Sequence, residues 1–136
     1  MSDQSPALGY TILYVDDVAA ALDFYERAFG LARRFFHDDD GKAYGELETG
    51  ATRLAFASMT LASELLGNEP VRPDPAGKPL SFEIALTTSD VPALHARALS
   101  AGATSVKPPA QKPWGQTVAY VRDAAGYLVE LCTPMP

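Results

Sequence analysis

Residues 10–18, Tyr-Thr-Ile-Leu-Tyr-Val-Asp-Asp-Val, return at an offset of 73 residues as residues 83–91, Glu-Ile-Ala-Leu-Thr-Thr-Ser-Asp-Val. Each copy runs into an apolar-periodic stretch that stops at a glycine, Gly30 in the first and Gly102 in the second. A solenoid needs three or more units to bury a continuous core, so two copies do not make one. They predict two similar modules packed together, and paired modules leave a cleft between them.

The local pattern is the same in both copies. Along residues 10–15, Thr11, Leu13 and Val15 fall on one face and Tyr10, Ile12 and Tyr14 on the other, as a strand's period of two requires. Asp17 then stands where a helix is capped, and Val18, Ala21, Leu22, Tyr25 and Phe29 follow the spacing of a buried helical stripe. In the second copy Phe82, Ile84 and Leu86 share a face opposite Glu83, Ala85 and Thr87. Ser89 or Asp90 can cap the helix that follows, and Pro92 suits its first turn. Shorter strands come after each helix, at 33–37, 43–48 and 53–58 in the first module and at 104–107, 117–122 and 128–132 in the second. Gly41, Gly50 and Gly126 mark turns between them. Each module thus reads as β-α-β-β-β, module 1 at about residues 7–58 and module 2 at about 80–134. Residues 59–79, rich in Pro, Gly and charge after a short helical stretch at 61–66, form the linker.

A chain of 136 residues, 47% hydrophobic, has enough apolar surface for one good core, so the two modules together make one domain. No apolar run approaches the roughly 18 residues that span a bilayer, and residues 1–6 lack the basic and apolar regions of a signal peptide. The expectation is a soluble, cytoplasmic protein without membrane contact. The lone Cys132 excludes an intramolecular disulfide. A formal charge of −6 argues against nucleic acid, which is bound through basic surface. It suits a cationic or neutral small ligand, and equally serves plain solubility.

This paired β-α-β-β-β pattern resembles the vicinal oxygen chelate superfamily, which holds glyoxalases, dioxygenases and bleomycin-resistance proteins. The resemblance rests on residues 14–18, on 22–25 followed by Gly30 and Leu31, on 89–91, and on 122–131. It implies an α+β fold in which two βαβββ modules pair into a half-open barrel cleft. It also implies four inward strand positions that hold a metal in the family's enzymes, here Tyr10, Ala55, Glu83 and Glu130. Ala55 has no donor atom, and Tyr10 is a poor ligand while its phenol keeps its proton. No resident cofactor is therefore expected. The alternative is a divalent ion held by Glu83 and Glu130, as in a glyoxalase-like lyase or isomerase or a dioxygenase. Either glutamate has a plainer reading, as a solvated carboxylate or the partner of an arginine such as Arg53. Neither His37 nor His95 lies at a ligand position.

Lys112, Pro113, Trp114 and Gly115 resemble the loop with which bleomycin-resistance proteins offer an aromatic face to a drug. Trp114 either stacks on a planar ligand or plugs the end of the barrel. Phe35, Phe36 and Tyr44 form an opposite wall or belong to the core. Cys132, beside glutamates, is no nucleophile. The resulting expectation is a homodimer of bleomycin-resistance-like type that sequesters a small cationic or aromatic molecule. Tyr10, Phe36, Arg53, Glu83, Trp114 and Glu130 line its site, and no catalytic residue is assigned. A third reading is an assembly protein whose cleft holds nothing.

Overall fold

The computed structural model describes residues 4–136. The chain runs β1 (Tyr10–Val15), α1 (Val18–Phe29), β2 (Arg33–Asp39), β3 (Lys42–Leu47), β4 (Arg53–Ser58), α2 (Met59–Leu66), β5 (Ile84–Thr87), α3 (Val91–Ser100), β6 (Thr104–Gln111), β7 (Thr117–Arg122) and β8 (Leu128–Cys132). It is an α+β protein with two open four-stranded sheets, ordered β1-β4-β3-β2 and β5-β8-β7-β6. In each, the first strand pairs parallel with the last and the remaining pairs are antiparallel. The sequence repeat is therefore a repeat of topology.

Two compact units emerge, with one boundary after Pro70, inside the expected linker, and two more around the second half of α1. One holds the chain up to Leu22 together with Leu31–Pro70; the other holds Asp23–Gly30 together with Val71–Pro136. One of these boundaries falls inside α1. Its apolar stripe is buried as the spacing predicts, with Val18 and Leu22 in the first unit and Tyr25 and Phe29 in the second. Asp17 caps the helix by accepting from the Ala20 N–H, and Gly30 ends it at a φ of 72°. Carbonyls of the last turn lack helical donors. Those of Glu26 and Arg27 accept instead from the Arg97 guanidinium of α3, at 3.2 and 2.8 Å.

In the first unit the β2–β3 hairpin turns through Asp40 and Gly41, both at positive φ. That is the turn whose twist suits adjoining antiparallel strands. Ser58 closes β4 and caps α2, accepting from the N–H groups of Leu61 and Ala43 while donating to the Gly41 carbonyl. The first part of the expected linker is thus a capped helix whose Met59 and Ala62 are buried. In the second unit the rest of it is held down. The buried Arg122 guanidinium donates to the carbonyls of Asp74, Gly77 and Gly126 at 2.8, 2.9 and 2.6 Å. Among the described residues no helix is long and apolar enough to cross a membrane.

Several boundaries differ from the sequence expectation: β2 runs on to Asp39, β3 is shifted by one residue, α2 starts at Met59, and two differences lie in the second unit. β6 continues past Lys107 to Gln111, because an edge strand can absorb Pro108 and Pro109 at register shifts. β5 begins at Ile84, so Phe82 and Glu83 sit just before the first registered pair, Ile84 with Val129.

Candidate functional site

Alternation along β8 buries Tyr127, Val129 and Leu131 and turns Leu128 and Glu130 to the other face. Register then sets the neighbours of Glu130: Ala85 on β5 and Tyr120 on β7. Glu83, two residues before Ala85, lies on the same face, and its carboxyl is hydrogen-bonded to that of Glu130. This bond, with some loss of solvent and the charge of Glu130, pushes the Glu83 carboxyl up to about 7. The same bond holds Glu130 below the usual carboxylate range, helped by the Cys132 thiol and the Tyr120 hydroxyl. Near neutral pH the two carboxyls share one proton and one negative charge. Burial and the adjoining Glu130 push the Cys132 thiol up to about 11, leaving it protonated and unreactive.

The first unit carries the matching positions. Tyr10 precedes Ile12 as Glu83 precedes Ala85, and Ile12 pairs with Ala55 as Ala85 pairs with Glu130. Tyr10 is largely exposed and Ala55 fully buried. The place opposite Ala55 on β3 belongs to Glu46, as the place opposite Glu130 belongs to Tyr120. Glu46 is buried and accepts from the Tyr44 hydroxyl at 2.7 Å, with the Arg34 guanidinium 3.4 Å away. Burial, and then this bond, push the Tyr44 phenol well above its ordinary value. Sequence reasoning missed Glu46, although its two-residue spacing from Tyr44 was a usable signal. Arg53 pairs with Glu48 at 3.2 Å.

The aromatic wall divides. Phe35 packs against Tyr44 and His37, with ring centres 5.8 and 5.3 Å apart. Phe36 instead lines a cavity of about 280 Å³ with Asp16, Asp17, Asp38 and Ser58. Trp114, at the β6–β7 turn, is 55% exposed, so it does not plug a core. Its indole N–H donates to the buried Gln116 side chain at 2.7 Å. His95 is hydrogen-bonded to Ser105 at 3.0 Å, in a packing role.

These donors do not fit a resident catalytic metal. A catalytic divalent ion takes about three protein donors. In the second unit Glu83 and Glu130 supply two carboxyls, and in the first Ala55 offers no donor. Among the described residues no group of three or more His, Cys, Asp or Glu side chains is arranged to hold an ion.

A family model described as the Glyoxalase/Bleomycin resistance protein/Dioxygenase superfamily matches residues 7–131. An uncharacterized protein of Mycobacterium bovis is 33% identical over 129 residues, covering 90% of this chain and 80% of the relative. The fold is similar to that of a glyoxalase-related enzyme from Fulvimarina pelagi, with a TM-score of 0.77 and 23% identity over 94% of this chain and 88% of that one. It is also similar to a glyoxalase/bleomycin resistance protein/dioxygenase family enzyme from Burkholderia phytofirmans PsJN, with a TM-score of 0.74 and 20% identity over 94% and 98% of the two chains.

Proposed function

Because the chain belongs to the Glyoxalase/Bleomycin resistance protein/Dioxygenase superfamily, we propose that it is a binding member that sequesters a small cationic aromatic compound in the cytoplasm. It works as a homodimer and needs no catalytic metal. The observation that carries this reading is the Glu83–Glu130 pair, which holds one proton close to neutrality on an open sheet face. A cation placed beside two carboxyls favours their ionised forms, so binding expels the shared proton and gains a second negative charge. The exposed Trp114 indole supports the aromatic half of the reading, since a planar ring stacks on such a face.

Calorimetric titration near pH 7, in two buffers of different ionisation enthalpy, tests the proposal with a panel of aromatic amines and their neutral isosteres. Binding of the amines should release up to about half a proton per chain at that pH, and more in a more acidic buffer. Glu83→Gln should abolish that release, and Glu130→Gln and Trp114→Ala should weaken binding. If wild type and all three variants give the same heats, neither the carboxyl pair nor the tryptophan belongs to the binding site.

A further inference from the structure

An exposed aromatic side chain ordinarily keeps its rotational freedom, and a ligand that stacks on it must pay to order it. Trp114 is 55% exposed at the tip of the β6–β7 hairpin, yet its polar edge is fixed. The indole N–H donates to the Gln116 side-chain oxygen at 2.7 Å. Gln116 is itself only 8% exposed, and its amide nitrogen donates to the Thr133 carbonyl at 2.8 Å, just past the end of β8. The backbone around it is closed as well. The Lys112 N–H donates to the Gln116 carbonyl at 2.7 Å, the Gly115 N–H to the Lys112 carbonyl at 2.9 Å, and the Thr133 N–H to the Thr117 carbonyl at 3.0 Å. Gly115 makes the turn at a φ of 102°, a conformation open to glycine.

A buried amide whose oxygen holds an exposed ring and whose nitrogen is tied to the sheet is a bracket. We infer that Gln116 is a positioning residue, which presets the Trp114 indole as a stacking platform for a planar aromatic ring. The stacking half of this inference rests on the binding reading given above, and the orienting half stands on the free protein alone.

Trp114 is the only tryptophan in the chain, so its fluorescence reports this one side chain. In wild type the anisotropy should decay with overall tumbling and without a fast component. Gln116→Met keeps the length of the side chain but removes both hydrogen bonds, and should introduce a nanosecond component. It should also weaken an aromatic amine probe such as tryptamine, followed by calorimetry, about three- to tenfold, the range expected when one side chain must be ordered on binding. Trp114→Phe keeps a ring without an N–H, and in that background Gln116→Met should cost nothing further. Fast indole motion in wild type would overturn the inference. So would a Gln116→Met effect of equal size with Trp and with Phe, which would mean that Gln116 acts through general stability. Failure of any probe to bind wild type would sink the binding reading and the stacking role together, while the anisotropy decay would still decide whether Gln116 orients the ring.

Discussion

Glu83 keeps its proton at a pH where an ordinary carboxyl has lost it, and this gives the fold a pH dependence of definite sign. Its folded value is raised from 4.5 to about 7. The stability it contributes is therefore fully present below its unfolded value and is lost as pH rises through about 7. Glu130 is shifted the other way, so its contribution is lost at the acidic end, as pH falls below the usual carboxylate range. Tyr120 and Cys132, the other titratable groups touching the pair, are both shifted upward and stay protonated through this window. Glu83→Gln donates to Glu130 at every pH, so it should flatten the fall in Tm expected of wild type between about pH 5 and 8. Thermal scans across that range check it, and a variant whose Tm declines in parallel with wild type would rule it out. The placement of both glutamates on one face was legible through the family resemblance, which implies that both positions point inward, while period-two counting settles only the face each takes on its own strand. Glu46 and Gln116 were not singled out. The direction of Glu46 can be counted from Tyr44, but its partner Arg34 reaches it only through the register shift between Arg33 and Phe35. The partner of Gln116 lies on another strand's end, at Thr133.

At Gly45, β3 comes close to the Leu22 side chain of α1. A Cβ added at Gly45 would lie 2.6 Å from the Leu22 Cδ1 and 3.2 Å from the Phe35 carbonyl oxygen. Leu22 is fully buried and has nowhere to retreat. Gly45→Ala should cost about 1–3 kcal/mol by overpacking, and Leu22→Ala about 2–5 kcal/mol by the cavity it leaves. Together they should cost less than their sum, because the new methyl enters the space the leucine vacates. Urea denaturation of the two single variants and the double variant measures this, and strict additivity would show that the two residues do not share that space. The elements themselves were legible wherever periodicity and caps agreed, as at α1 between Asp17 and Gly30. The end of β6 was not, because Pro108 and Pro109 read as breakers, and their tolerance follows from edge position, which only the strand order reveals.

For the molecule as a whole, α1 is the decisive element, since one uninterrupted helix contributes Leu22 to the first compact unit and Tyr25 to the second. The Tyr25 hydroxyl donates at 2.6 Å to Asp123, a buried carboxylate that also accepts the N–H groups of Ala125, Gly126 and Tyr127. Melting either unit should strip half of a helix that is too short to stand alone in water. Calorimetry should accordingly show a single transition, with van't Hoff and calorimetric enthalpies in agreement. Two resolved peaks would mean that the units melt independently. The sequence repeat pointed to a division at residues 59–79, where the boundary after Pro70 lies, and an apolar stripe tells that a helix is buried without dividing its turns between units. The chain passes from one compact unit to the other three times, within α1, after Gly30 and after Pro70. No single scission separates such a body. A gene cut in the linker would encode two pieces that are linear halves of the message but not halves of the structure, and the first would carry away the half of α1 that belongs with the second.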